Sequence, residues 1–254
     1  MSIIASLLTV TSCSNDENEL EGDNLATTNE SSKTSGATCS GSDVDFGDLK
    51  VETSWISNDK SDRDTYDACG VDGEIWMDKY SDGRVMLKCL SGDGHRTELK
   101  EDTGDEASLK NYKKIKFTGK FTSIPEHGVT IAQIHNRNSS VKRPWIRVYI
   151  DSDRIVRIKE TETTPNKDSS NYSTYDGPKY TSGASMTIQV WTGISGKSEG
   201  NVSIETGGNS YNKTLTPSSD WSSYSSDYYL KAGVYTEGDN TTATVKYDYF
   251  SISH

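Results

Sequence analysis

Apolar residues in this chain recur at every second position in short runs, and Gly, Asn, Asp, Ser and Pro separate the runs. Alternation over four to eight residues bounded by turn formers is the pattern of a half-buried β-strand. It predicts strands at 115–121, 130–135, 145–150, 155–158, 186–191, 201–205, 229–235 and 245–252, and a hairpin from 73–78 and 84–88. An amphipathic period of 3.6 is nowhere sustained for three turns. The fold is therefore expected to be all-β, with the strands of one domain in two packed antiparallel sheets, a jelly-roll β-sandwich. No repeat of fixed period suggests a propeller or solenoid.

Composition changes the picture mainly at the start of the chain. Residues 1–13 are apolar, are too short to span a bilayer and end in small residues before Cys13. They resemble a bacterial lipoprotein signal, with Cys13 as the lipidated residue; an ordinary secretory signal is the alternative. Residues 14–43 are Asn, Glu, Ser, Thr and Gly with little to bury, which reads as a disordered acidic tether. One domain is then expected over 44–254, in an exported monomer held at the outer-membrane surface by lipid or secreted. The formal charge of −11 is concentrated early: nine acids between Ser14 and Asp48 stand against Lys33, so the rest sits near −3. That balance excludes a nucleic-acid partner, which needs a concentrated basic surface, but leaves room for a basic cleft. Apart from Cys13, the cysteines are Cys39, Cys69 and Cys89, allowing one disulfide whose pairing the spacing leaves open. No Cys-x-x-Cys or His-x-x-x-His pair points to zinc.

Three strands carry unusual polar faces. Gln133 and His135 share one side of a strand whose other side carries Ala132 and Ile134. Arg96, Glu98 and Lys100 lie opposite Thr97 and Leu99. Tyr229, Lys231, Gly233 and Tyr235 lie opposite Leu230, Ala232 and Val234. Charges at three successive positions are costly if buried, so these faces should be open or meet a charged ligand. Trp145, Arg147 and Tyr149 form a similar face, as do Thr187, Gln189 and Trp191. Any one such face fits a solvated ladder. Together, flat aromatics beside amide and cationic groups suit a groove for a polyanionic sugar.

In this order, Arg96-Thr-Glu-Leu-Lys100, Gln133-Ile-His135 and Tyr229-Leu-Lys-Ala-Gly-Val-Tyr235 resemble the three signature motifs of alginate lyases of polysaccharide lyase family 7. The chain has Lys100 where the family usually has arginine, keeping the charge without the bidentate fork. It has Leu230 where the family usually has phenylalanine. The resemblance implies a jelly roll whose concave sheet holds alginate, cleaved by β-elimination without a cofactor or an obligatory metal. Arg96 and Gln133 would neutralise the uronate carboxylate, and His135 and Tyr235 would move the C5 and O4 protons. Glu98, Lys100, Trp145, Arg147, Tyr149, Gln189, Trp191 and Lys231 would line the groove. Ile134 is associated in the family with guluronate-containing blocks. His95, His127 and His254 are expected at the surface. The polar stretch 160–185, with Tyr172, Tyr175 and Tyr180, is a candidate lid.

Two other classes compete. A non-catalytic carbohydrate-binding module would use the aromatics but not His135 with Tyr235. A retaining glycosidase needs two facing carboxylates, for which Glu74 and Asp78 have the parity but not the pattern. A lyase acting on another polyuronate, such as glucuronan, is the nearer alternative.

Overall fold

The computed structural model describes residues 43–57, 59–167, 170–238 and 241–254; the signal segment, nearly all of the tether and Cys39 lie outside them. Its strands are β1 (Lys50–Thr53), β2 (Asp64–Asp67), β3 (Met77–Lys79), β4 (Val85–Cys89), β5 (Asp93–Lys100), β6 (Lys113–Ser123), β7 (Val129–Asn136), β8 (Ile146–Ile150), β9 (Ile155–Thr161), β10 (Tyr172–Lys179), β11 (Met186–Thr192), β12 (Gly200–Thr206), β13 (Asn209–Leu215), β14 (Tyr228–Glu237) and β15 (Ala243–Ser253). They form one eight-stranded sheet in the order β10-β9-β8-β7-β14-β5-β1-β2 and one seven-stranded sheet in the order β13-β12-β11-β6-β15-β4-β3. Every ladder within the sheets is antiparallel, as the jelly-roll expectation requires.

The core lies between the sheets. β6 shows why: Ile115, Phe117 and Phe121 are buried while Lys114, Lys116 and Lys120 are only partly so, the period of two written directly as burial. Phe117 meets Tyr247 edge-on at 5.1 Å and stacks with Phe250 at 6.4 Å, while Phe46 joins Phe250 at 5.9 Å. Each such ring taken from water contributes about 1.5–3 kcal/mol.

The longer strands expected from alternation are present, whereas the first arm of the expected hairpin, 73–78, is strand only from Met77 onward, as β3. β10 is not predicted, because Tyr172-Ser-Thr-Tyr-Asp-Gly-Pro-Lys179 has no apolar face to alternate. It survives as an edge strand, with a register break between Asp176 and Lys179 around Pro178, where a missing N–H is harmless. The stretch 160–185 is thus not the lid suggested by its polarity: it contains an edge strand, and Tyr180 is buried with its hydroxyl accepting from Phe121 N at 2.8 Å. Cys69 is disulfide-bonded, its partner lying outside the described residues, and Cys89 is a free, fully buried thiol.

Candidate active site

The three motif strands are neighbours at the centre of the eight-stranded sheet, β14 lying between β7 and β5. Across them the register sets Lys231 opposite both Gln133 and Lys100, and Tyr235 opposite Arg96. Continuing outward, Gln133 faces Arg147, Arg147 faces Lys159, and Lys100 faces Lys50. Lys159, Arg147, Gln133, Lys231, Lys100 and Lys50 therefore form one row perpendicular to the strands, with a polar group every ~4.8 Å. Each strand from β9 to β1 thus contributes a cation or an amide donor to the row.

The floor of this row is not open. Glu98, Lys231, Arg96 and Gln133 are each at most 3% exposed, so the charges are balanced internally rather than by water. Gln133 Nε2 donates to Glu98 Oε1 at 2.6 Å, and Glu98 Oε2 lies 3.8 Å from Lys231 and 4.0 Å from Arg96. A second carboxylate, Glu52 of β1, approaches Lys100 at 2.6 Å, Arg63 at 3.5 Å, Lys231 at 3.7 Å and Arg96 at 3.8 Å. Burial alone would raise the Glu52 pKa; the charges of Lys231, Lys100, Arg96 and Arg63 outweigh it and hold the carboxyl well below its ordinary range. Two carboxylates thus fix four cations in place before any ligand arrives.

The proton-transfer candidates flank this floor. His135 stands opposite Tyr229, ring to ring at 5.5 Å, and its Nδ1 is engaged by the Asn136 backbone. Arg137 covers the Tyr229 ring at 4.2 Å. On the other side, the Arg96 guanidinium lies 4.4 Å from the Tyr235 ring centroid. Tyr235 is partly exposed, whereas Tyr229 is 1% exposed.

Strict alternation would place Ile131 beside Gln133, yet Ile131 is in the core. The register shifts between Thr130 and Ala132 against β8, and between Ala232 and Tyr235 on β14, so a bulge at Ile131 resets the parity. Thr130 consequently pairs with both Tyr235 and Tyr149 on the groove face, and its hydroxyl donates to Glu237 Oε1 at 2.8 Å. Glu237 also holds Arg147 at 2.8 Å. Tyr149 is half-buried; burial raises its pKa, with Arg147 and Arg157 pulling the other way.

Three residues expected in the groove lie elsewhere. Gln189 and Trp191 belong to β11 of the other sheet and face away from its core. Trp145 is fully buried: it precedes β8, its ring meets Tyr228 edge-on at 6.0 Å, and it fills the space beside Gly200 that a side chain there would occupy. Of the remaining histidines, His127 is exposed as expected. His95 is 8% exposed with Nδ1 3.0 Å from Ser54 Oγ, its pKa lowered by burial and the charge of Lys60. His254 is exposed but is bound to the buried Glu101 at 2.6 Å.

The structure adds Glu52, Arg63, Lys50, Thr130, Arg157, Lys159, Tyr229 and Glu237 to the site. Arg157 and Lys159 have the alternating parity that would have found them; Glu52 and Arg63, far from the motifs in sequence, gave no such signal. Among the described residues, no group of three or more His, Cys, Asp or Glu side chains is arranged to hold a metal ion.

A family model described as alginate lyase matches residues 44–254. Comparison with curated proteins returns no match. Among solved structures, alginate lyase AlyC3 in complex with dimannuronate aligns with a TM-score of 0.63 at 14% identity, covering 82% of this chain and 90% of that one. A variant of the family 7 alginate lyase A1-II′ with product aligns at 0.59 and 17% identity, covering 84% and 97%. The alginate lyase from Corynebacterium sp. aligns at 0.57 and 18%, covering 84% and 96%. These structures share the fold, and the family model spans the whole sandwich that carries the three motifs; the chain belongs to the alginate lyases of polysaccharide lyase family 7.

Proposed function

We propose that the chain depolymerises alginate by β-elimination at the face built from β5, β7 and β14. One observation carries the reading: Arg96, Gln133 and Lys231 are gathered around Glu98, with His135 on one side and Tyr235 on the other. The C5 proton of a uronate is too weakly acidic to remove until its carboxylate is neutralised. Arg96 and the amide of Gln133 supply the charge and donor that stabilise the enediolate as it forms. Because Glu98 and Glu52 hold these groups in advance, little reorganisation remains for the transition state.

His135, whose Nδ1 is engaged by the Asn136 backbone, takes the C5 proton through Nε2 in the tautomer that donates Nδ1–H to the Asn136 carbonyl. Tyr235, partly exposed beside Arg96, gives the proton to the departing O4. Tyr229 is the second reading for the acid, since the register sets it directly across from His135. Its enclosure between His135 and Arg137 argues against contact with a sugar. Lys100, Arg147 and Tyr149 bind neighbouring sugars, and Glu98 and Lys231, both fully buried, act as positioning charges beneath them rather than as sugar contacts.

Preference for guluronate-containing blocks rests on Ile134, which is buried against the position of Gly200 and so would act through strand packing rather than contact. Export, with anchoring at Cys13, and a monomeric state complete the proposal. The test is ultraviolet absorbance of the unsaturated uronate end when the purified protein meets poly-guluronate, poly-mannuronate and glucuronan. Rising absorbance on alginate, fastest on poly-guluronate, is expected. Depolymerisation without absorbance would mean hydrolysis, retention without depolymerisation a binding module, and cleavage of glucuronan alone a different substrate.

A further inference from the structure

Gln189 and Trp191 were expected in the groove, and their actual position on the outer face of the seven-stranded sheet places them in unusual company. Trp191 stands opposite Lys114 on one side and Asn201 on the other; Gln189 stands opposite Lys116 and Ser203. Lys114 Nζ lies 5.7 Å from the Trp191 ring centroid, and Lys116 Nζ lies 5.4 Å from that of Tyr249 on β15. All five of Lys114, Lys116, Gln189, Trp191 and Tyr249 are partly exposed.

Two features set this face apart from an ordinary solvated ladder. The first is charge: β6 contributes Lys114, Lys116 and Lys120 outward and Lys120 stands directly opposite Lys246, a like-charge pair that costs stability unless something anionic attends it. Asp248 attends Lys120 at 3.4 Å. Glu205 is the other carboxylate that β6, β11, β12 and β15 supply to this side, in a chain whose formal charge is −11. The second is Asn201, 5% exposed, whose Oδ1 accepts from Thr214 at 2.6 Å while its Nδ2 has no acceptor among the described residues. A buried donor without a partner is expensive, and this one lies at the strand position next to Trp191.

We infer that this outer face is a second binding surface for a polyuronate chain, on the opposite side of the sandwich from the groove. Each uronate residue brings a carboxylate for Lys114 or Lys116, an apolar ring face for Trp191 or Tyr249, and a hydroxyl for Gln189. Lys114 and Lys116 are ~6.7 Å apart along the strand and Trp191 is ~4.8 Å across from Lys114, spacings on the scale of a sugar unit. A neutral polysaccharide would leave the lysines unmatched. Since the two sheets face in opposite directions, a short oligosaccharide cannot occupy both sites, whereas a polymer network can. The surface therefore holds the protein on polymer while the groove works, and it leaves turnover of short oligouronides untouched. Only the identity of the polymer rests on the reading of the groove.

The test compares the parent with Lys114→Glu/Lys116→Glu and with Trp191→Ala. Retention is read on calcium-alginate gel in a Tyr235→Phe background, so that the gel survives, and turnover is read on tetrasaccharide in the unmodified background. Retention is expected to fall about tenfold or more, as on removing one of two contacts with the same polymer, and to weaken with salt in the parent. Tetrasaccharide turnover is expected to stay unchanged in at least the charge-reversal variant, which reports that the fold is intact. Unchanged retention in both variants would overturn the inference. Equal losses on a neutral glucan gel, or a lysine-dependent transfer of binding to anionic phospholipid vesicles instead of the gel, would overturn it too. If no uronan were cleaved while retention still depended on the lysines, the groove reading would fail and this one would stand.

Discussion

At the scale of single residues, the site is organised by two buried carboxylates, Glu98 and Glu52. Glu52 has a pKa held well below the ordinary range, so it stays ionised in the fold at pH values where the unfolded chain already binds a proton. Its contribution to stability is complete above the unfolded value near 4.5 and is lost as pH falls through the depressed folded value. Glu52→Gln should therefore flatten the acid limb of the Tm-against-pH curve while lowering Tm at neutral pH, where Lys100 and Arg63 lose their countercharge. A variant whose acid limb superimposed on the parent's would contradict this account. Tyrosine roles separate just as cleanly. Tyr235→Phe is expected to lower kcat by about 10²–10⁴ with little change in KM, the size of a lost general acid. Tyr229→Phe, whose ring keeps its place beside His135, should cost far less; the reverse order would move the acid to Tyr229.

At the scale of elements, the groove depends on how closely β5 and β14 approach. A Cβ at Gly233 would lie 2.4 Å from Thr97 O and 2.6 Å from the Glu98 Cα, and backbone cannot step aside as a side chain can. Gly200 offers the contrast: its Cβ would meet Ile146, Trp145 and Ile134 side-chain carbons at 2.7–3.0 Å. Gly233→Ala is thus expected to destabilise by about 1–3 kcal/mol or more and to displace Glu98, lowering turnover of whatever protein still folds. Gly200→Ala should lower stability with a smaller loss of turnover, and thermal unfolding alongside initial rates separates the two. How far these elements could be read in advance follows the same logic. β6, β7, β11 and β14 announce themselves because one face is apolar; β10 and β2 do not, being polar edge strands whose pairing comes from a neighbour. The groove faces of β5 and β14 were legible from parity. Those of β7 were legible only from Ala132 onward, because the bulge at Ile131 is set by the partners on both sides.

For the whole molecule, the closed sandwich predicts the behaviour of its free thiol. Cys89 is fully buried on β4, and that burial pushes its pKa up to about 12. In the native protein it should resist thiol reagents at pH 8, reacting only as the chain unfolds, so that labelling follows the global opening rate. Rapid native labelling at that pH would show that β4 opens on its own.

The local sequence determined which residues could work together: alternation separates an apolar from a polar side, and that rule put Arg96, Gln133, His135, Lys231 and Tyr235 on polar faces of their strands. It also marked the motif trio that carries the resemblance. Alternation holds no information on which sheet a strand joins or which strand lies beside it. Only the tertiary structure could therefore send Gln189 and Trp191 to the far face, turn Trp145 into the space left by Gly200, and bring Glu52 and Arg63 under the cations of the groove. Those outcomes depend on long-range pairing and on charges that must be neutralised once water is excluded, which no single stretch of chain specifies.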